Sequence, residues 1–549
     1  MKTILTFVIG ITFCTNTVLS QDTVRHAPVQ HDTVGSQLPR LEIPEITIVG
    51  KKAIMLPFAR KGEIYDVDVY EAPPPDTSLL GQRTMMSLPI GSLPRYEQRL
   101  DPWRISAEGS LGSFTTGHAR GYLDYTTLRW GVRGNGTYRT TQGHTENASA
   151  TSTQIELNAQ SLVETDNDVL RAFRALGGIS WTHDEYGMFG IPAARVRRTR
   201  NDFRFSGRLG SINREGTVLD IDFGTAVVGI TDRQPSGDSD IAANSSMLRA
   251  RISSDINTVR LFTELQYASS SLDYSHPTQS PSVIDFTAGA RWRIGEKFLL
   301  NLGGMCSHGS DETGRDKTLF APTAVLTWEK DRDRVWSFWY RPEIRFVPYN
   351  EYLQRSPYLI RELANKPERI PLNIGTTLKY NGPILSVELT GSIEHGQNRA
   401  VEVADSGRID LQFVDSDEFT ARASVMMTPS GKTRLVFNGA LQPGHETGTS
   451  TQLPMTPLLQ LYARGEVDLS IPVTLWSSID YRSKRNVDLS GIRSIGDAAL
   501  LGAGISTHAV PRMALSFDIS NIFNTAYEWW SGYAAPGRQF TLEAKINLK

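Results

Sequence analysis

Hydrophobic and polar residues alternate singly along much of this chain, and the final run shows the pattern at its cleanest. Phe540, Leu542, Ala544, Ile546 and Leu548 fall on one side, with Gln539, Thr541, Glu543, Lys545 and Asn547 on the other. Met513, Leu515, Phe517 and Ile519 oppose Ala514, Ser516, Asp518 and Ser520 in the same way. A period of two sends successive side chains to opposite faces of a strand, so each face has its own environment. Leu219, Ile221 and Phe223 stand against Asp220 and Asp222. Leu385, Val387, Leu389 and Ile393 stand against Ser386, Glu388, Thr390, Ser392 and Glu394, and Leu435, Phe437 and Leu441 share one face. In the 334–347 run, Trp336, Phe338, Tyr340, Ile344 and Phe346 oppose Ser337, Arg341, Glu343 and Arg345. The last run covers about nine residues, the length a tilted strand needs to cross a hydrocarbon layer.

Energetics decide which face points outward in a membrane. A Lys or Arg held in lipid at mid-depth costs about 2–4 kcal/mol. Turning the last strand over would put Glu543 and Lys545 there, so the face carrying Phe540 is expected to meet lipid and the charged face a wet lumen. Connections alternate in length as well. Tight links are expected at 213–216, 294–297, 381–383, 429–432 and 509–511, and longer ones at 185–199, 235–244, 349–368, 397–416, 442–457 and 483–495. Short turns at one end and long loops at the other mark membrane barrels, and that parity gives about twenty-two strands. The expected fold is all-β, a transmembrane antiparallel β-barrel over residues 103–549. A barrel of that size has a large lumen to fill or leave open.

The ends of the chain fit this expectation. Residues 1–20 read as a secretory signal peptide, with Lys2 as the positive start, an apolar core over 4–13 and a small-residue cleavage site before Gln21. Cleavage would remove Cys14 and leave Cys306 alone, so no internal disulfide is expected. Residues 21–102 form a leader with two short alternating stretches, at 41–50 and 64–70, the second broken by Pro73, Pro74 and Pro75. No stretch approaches eighteen consecutive apolar residues, which a membrane barrel does not need because half of each strand is polar. With 39% hydrophobic residues and a net charge of −2 in 549 residues, the chain is neither disordered nor polyionic, and nothing points to nucleic acid.

Between the last two runs, Asn521, Phe523, Asn524, Tyr527, Gly532, Tyr533, Pro536, Gly537 and Arg538 precede Phe540 in an ordered segment. This segment resembles the C-terminal end of the TonB-dependent outer-membrane receptors, where such residues lead into the last barrel strand. Its aromatic residues suit the membrane–water interface. Asn365-Lys366-Pro367-Glu368-Arg369 resembles a Leu-Lys-Pro-Glu segment of the same receptors. Glu45, Ile46, Thr47, Ile48 and Val49 resemble their TonB box, which offers a strand edge to an energising partner. The resemblance implies an outer-membrane barrel of a Gram-negative-type bacterium that takes up a small solute, whether siderophore, vitamin or oligomer. It also implies outer-membrane lipid, a TonB-type protein and the outer-membrane assembly machinery as partners. Two departures stand out: the chain ends in Leu548-Lys549 rather than an aromatic residue, and the leader is far shorter than the usual plug domain. The barrel is therefore expected to be plugless, and a separate plug or surface partner is a further expectation. The alternative is a non-transporting surface barrel acting as adhesin or scaffold.

Catalytic, metal and cofactor chemistry is not expected. Gly431-Lys432-Thr433 lacks the glycine a phosphate loop needs at Met426, and His445-Glu446 lacks the second histidine of a zinc helix. No Gly-x-Ser-x-Gly elbow occurs. The candidate lumen-lining residues are Arg341, Glu343, Arg345, Glu388 and Glu394.

Overall fold

The computed structural model describes residues 103–548 except 128, 165–171, 192–195, 212–216, 236, 274–279, 312–313, 332, 360–364 and 406. The signal-peptide stretch, the leader and the box at Glu45, Ile46, Thr47, Ile48 and Val49 lie outside the described residues.

The alternating runs form strands in chain order. They begin with β1 (Trp103–Gly112), β2 (Thr116–Thr126), β3 (Trp130–Thr141), β4 (Ala150–Glu164), β5 (Ala172–Gly187), β6 (Arg197–Ser211) and β7 (Val218–Arg233). Then come β8 (Ser239–Ile256), β9 (Val259–Asp273), β10 (Ser282–Ile294), β11 (Phe298–Ser310), β12 (Asp316–Glu329) and β13 (Arg334–Tyr340, resumed as Glu343–Arg345). After the helix α1 (Tyr349–Arg355) follow β14 (Glu368–Asn381), β15 (Leu385–Asp405), β16 (Arg408–Ser430) and β17 (Thr433–Leu441, resumed as Gly444–Glu446). The series ends with β18 (Leu459–Asp468), β19 (Val473–Arg482), β20 (Ala498–Val510), β21 (Met513–Ser520) and β22 (Gln539–Asn547). Each strand pairs antiparallel with its neighbour in the chain, and β22 returns to β1 in a register running from Ser106↔Asn547 to Gly112↔Thr541. The sheet contains 24 segments, but β13 and β17 are each interrupted at a proline, Pro342 and Pro443. The wall therefore has 22 strands and no free edge.

Burial shows which face each alternation presents. Ile155, Phe203, Phe223, Leu248, Phe286, Leu302, Phe320, Ile393, Phe437 and Leu542 all point away from the lumen and are exposed. Leaving one such side chain in water rather than apolar surroundings costs about 1.5–3 kcal/mol, so a belt of them requires lipid. Rings collect near the short turns. Tyr125 lies 4.5 Å from Trp103 and 4.8 Å from Trp130 where β2 gives way to β3, and Phe298, Trp328 and Trp336 gather at the same end of β11, β12 and β13. Such a girdle marks the membrane–water interface. Two-residue turns at 257–258, 431–432 and 511–512 share that end, while the longest connections, such as 346–367 and 521–538, lie at the other.

Four expectations change. The connection expected over 235–244 is strand from Ser239 onward. The connection expected over 397–416 is strand up to Asp405 and again from Arg408, because Val401, Val403, Ile409 and Leu411 continue the alternation beyond the membrane. The 334–347 run does not keep one face. Pro342 has no N–H for the ladder, the strand breaks there, and Ile344 and Phe346 become fully buried inside the barrel rather than joining Phe338 on the lipid side. The rings of Trp530 and Tyr533 are likewise buried, not interfacial, since the loop that carries them folds inward.

Candidate functional site in the lumen and its outer mouth

The inward-facing positions of the wall carry interleaved charges of both signs. Arg208 Nε lies 3.4 Å from Asp222 Oδ1, Arg249 Nη2 2.8 Å from Glu264 Oε1, and Arg464 Nε 2.8 Å from Glu466 Oε1. Glu388 Oε1 sits 3.1 Å from Lys379 Nζ near the short 382–384 turn. Trp476 Nε1 donates to Asp518 Oδ1 at 2.9 Å. These pairs keep the lumen polar and wettable without a strong field of either sign.

Where β13 breaks, the chain turns into the lumen. Arg341 stays exposed, with its N–H donating to the Asn373 carbonyl at 2.9 Å. Past the break, Ile344 and Phe346 pack on Ala268, Val283 and Leu319, which belong to the inner faces of β9, β10 and β12. The opposite face of this short segment carries Glu343 and Arg345 into a buried cluster. The Arg345 guanidinium reaches Glu343 at 2.9 Å, Glu394 at 3.4 Å and Glu368 at 3.5 Å. Arg399 reaches Glu418 at 2.6 Å, Glu368 at 3.6 Å and Glu394 at 3.9 Å. Four carboxylates shared between two arginines would each be costly to bury alone, and the network fixes the inward segment to β14, β15 and β16. The Asn365-Lys366-Pro367-Glu368-Arg369 motif lands here. Asn365 Nδ2 donates to the Val347 carbonyl at 2.9 Å, Lys366 lies over the Phe413 ring at 5.3 Å, and Glu368 joins the cluster. Of the candidate lumen residues, Glu343, Arg345 and Glu394 thus come together, while Arg341 and Glu388 stand apart.

Above this cluster the long loops meet across the mouth. Val228 and Ile230 of β7, Ile241 and Ala243 of β8 and Leu272 of β9 share one apolar cluster with Ala404, Ile409 and Leu411 of the 385–430 hairpin. β7 and β16 stand nearly opposite one another in the ring, so residues that cross the lumen must join them. They are Tyr349, Tyr352, Leu353 and Leu359 of the inward segment, Val487 and Ile495 of the 483–497 loop, and Trp530 and Tyr533 of the 521–538 loop. Leu359 makes a parallel bridge with Ile409.

Polar hooks fasten residues 349–359 to the wall. Arg198, 2% exposed, pairs with Asp232 through two bonds of 2.6 and 2.8 Å. Its Nη1 also donates to the Pro357 and Leu359 carbonyls, each at 2.7 Å. The Tyr186 hydroxyl donates to the same Pro357 carbonyl at 2.7 Å, and Arg200 Nη1 to that of Leu353 at 3.1 Å. Gln354 Nε2 donates to Asp202 Oδ2 at 2.6 Å. Burial pushes the Tyr358 hydroxyl well above the ordinary tyrosine range, so the ring stays neutral. Asp488, in the 483–497 loop, is held below the usual carboxylate range by the Ser490 hydroxyl and then by Arg493.

The C-terminal motif shapes the last of these loops. Asn521 is buried and closes a turn with Thr525, accepting its N–H at 2.8 Å and donating to its carbonyl at 2.9 Å. Asn524 Oδ1 accepts the Arg538 N–H at 2.8 Å, and Arg538 Nε donates to the Ile522 carbonyl at 2.8 Å, so the loop's two ends are stitched together. A Cβ at Gly537 would stand 2.3 Å from Asn524 Oδ1. Phe523 and Phe540 remain exposed, and Tyr527 meets Trp529 edge to face at 5.0 Å. Pro536 follows the short Glu528–Trp530/Tyr533–Ala534 ribbon, whose turn has Gly532 at φ 83°. That turn delivers Tyr533 to the centre of the mouth. Sequence reasoning missed Tyr186, Gly190, Arg198, Tyr358 and Gly407; the only sign of the glycines and tyrosines is a scatter of small and aromatic residues in or beside the expected long connections, and of Arg198 the basic run Arg197-Arg198-Thr199-Arg200.

Among the described residues, no group of three or more His, Cys, Asp or Glu is arranged to hold a metal ion. No family model matches the sequence, and no curated protein matches it. Solved structures do share the fold. The FrpB iron transporter from Neisseria meningitidis (F3-3 variant) is 10% identical, with a TM-score of 0.64 over 82% of each chain. BauA, the ferric preacinetobactin receptor from Acinetobacter baumannii, is 13% identical, with a TM-score of 0.64 over 82% of this chain and 80% of its own. The copper transporter OprC is 12% identical, with a TM-score of 0.63 over 83% of this chain and 82% of its own. This chain shares their fold, a closed barrel of 22 antiparallel strands.

Proposed function

We propose that this chain is an outer-membrane transport barrel, energised from the periplasmic side, for a solute drawn from the siderophore, vitamin or oligomer classes. The observation that carries the reading is a wide, polar, fully closed barrel whose outer mouth is shut by noncovalent loop contacts. A wall of this circumference encloses a space that solutes can pass, and its closure rests on bonds that can be remade. The neighbours' printed roles in iron, siderophore and copper passage support the same reading. In this reading Glu45, Ile46, Thr47, Ile48 and Val49 take the energising partner by strand addition.

The test is uptake of a panel of ferric siderophores, corrinoid vitamins and oligosaccharides by cells expressing the full chain, with and without the proton-motive force. Ile48→Pro should abolish energised uptake while leaving a heat-modifiable barrel in the membrane, because proline removes a ladder donor. Unchanged uptake in that variant would sink the coupling. If no member of the panel enters above the level of barrel-less cells, the transport reading fails for those classes.

A further inference from the structure

We propose that the outer cap is the permeability barrier of this barrel, and that it is locked where Gly190, Gly407 and Gly532 meet beside the stacked rings of Tyr358 and Tyr533. The three glycines come from three separate connections, those following β5, β15 and β21. A Cβ on Gly407 would fall 1.7 Å from the Gly190 carbonyl oxygen, and one on Gly190 would fall 2.4 Å from the Tyr533 ring. A Cβ on Gly532 would lie 3.2 Å from that same oxygen and 3.6 Å from the Gly407 Cα. Gly407, at φ 77°, also holds a left-handed conformation that side chains resist. Backbones approach this closely only where no side chain intervenes, so the junction has no room for a gap.

Rings complete the junction. Tyr533 is 2% exposed, stacks on Tyr358 at 3.7 Å and donates its hydroxyl to the Gly407 carbonyl at 2.9 Å. Phe189 and Trp530 pack edge-on around the pair, at 5.1 Å from Tyr533 and 5.3 Å from Tyr358. His144 Nε2 meets the Ala534 carbonyl at 2.7 Å, tying in the 142–149 connection as well. Further bonds join the remaining loops. Arg485 Nη2 donates to the Glu528 and Trp529 carbonyls at 2.7 and 2.6 Å, and the Ala404 N–H donates to the Val487 carbonyl at 3.0 Å. The connections following β3, β5, β13, β15, β19 and β21 are thereby tied to one another. This is the arrangement of a lock, since its centre joins the arms to one another, whereas the hooks at Tyr186, Arg198 and Arg200 join only residues 349–359 to the wall.

The test is single-channel conductance in potassium chloride for the full-length protein in planar bilayers, paired with hydrogen exchange of residues 349–359. Wild type is expected to show no resolvable steps. Gly407→Val, which wedges the junction, and the double variant Tyr358→Ala/Tyr533→Ala, which empties it, should expose those amides and open steps of the size wide water-filled barrels give. Heat-modifiable mobility confirms that the wall is intact, and the double variant serves if Gly407→Val fails to assemble. Steps of that size in wild type would overturn the proposal. So would a variant whose cap exchanges freely while the barrel stays closed, because another element would then be the barrier. If both variants assemble with the cap protected as in wild type, the junction is not the lock. These results are separable from transport: energised uptake can fail while the conductance result stands, leaving a gated pore.

Discussion

Separating the hook from the ion pair that supports it gives the sharpest test of how residues 349–359 are held. Arg198 does two things: it neutralises Asp232, and it donates to the Pro357 and Leu359 carbonyls. Removing Arg198 alone strands a buried carboxylate, which costs about 3–5 kcal/mol by itself, so Arg198→Met confounds the two roles. Replacing both partners, as Arg198→Met with Asp232→Leu, removes the pair with little net cost, because an ion pair exchanged for packed apolar groups is often neutral. What remains lost is the two bonds to the strap. A hydrogen bond to a charged group contributes about 1.5–3 kcal/mol. Two at the lower figure sum to about 3 kcal/mol, or roughly a hundredfold in an opening equilibrium. Hydrogen exchange by mass spectrometry in detergent should therefore show residues 349–359 exchanging roughly a hundredfold faster in the double variant, with strand amides of β10 and β11 unchanged. Protection of residues 349–359 equal to wild type would show that Arg198 is a passive wall residue and that apolar packing with the Tyr186, Arg200 and Gln354 bonds holds them.

Other predictions address the wall and the loops. Cys306 alternates with the inward Ser307 and pairs in register with the exposed Phe286 and Phe320. In bilayers a lipid-soluble maleimide should label it and a charged, membrane-impermeant one should not; labelling by the charged reagent would mean the face is misassigned. Ile393→Arg places a guanidinium in the lipid belt and should cost about 2–4 kcal/mol near mid-depth, read as a lowered urea midpoint in detergent-to-bilayer refolding. Ser392→Arg, facing the lumen, should cost far less. Asp488 titrates below the ordinary aspartate range in the folded loop, so its contribution is present above the unfolded value and is lost as pH falls through the folded one. Acidification below the usual aspartate range should accelerate exchange in residues 485–495, and Asp488→Asn should remove that pH dependence.

The wall was legible because its chemistry is local and repeated. Glu394 faces inward and Ile393 outward because a period of two leaves no choice once lipid excludes charge, and no distant residue alters that assignment. The turns at 295–297 and 431–432 were legible for the same reason. The cap was not, because its residues satisfy two environments equally well. Trp530 and Tyr533 are amphipathic rings that fit a membrane interface or a wet–dry boundary between loops, and only the direction of the loop decides. Ile344 and Phe346 continue the outward face of β13 in sequence, yet one proline shifts the chain into the lumen and buries them. Arg345 and Glu343 were singled out as lumen-facing, but Arg399 and Glu418, which complete their cluster, lie more than fifty residues away.

The strength of the cap follows from what it must do if the barrel transports. A gate that is 99% closed at rest and 99% open when engaged needs an input of about 5.5 kcal/mol that favours the open state. The contacts at the junction are of a size to be overcome by that amount. Each ring pair contributes about 0.5–1.5 kcal/mol beyond its area, and the neutral Tyr533 bond to Gly407 about as much. A disulfide across the mouth would have put opening beyond reach, and among the described residues the one cysteine, Cys306, is free. Close backbone packing at Gly190, Gly407 and Gly532 supplies the tightness that bond strength does not: the fit fails if any one connection withdraws. A cap built this way is closed by shape and opened by a modest differential affinity, so a solute or partner need only bind one released arm better than the assembled junction.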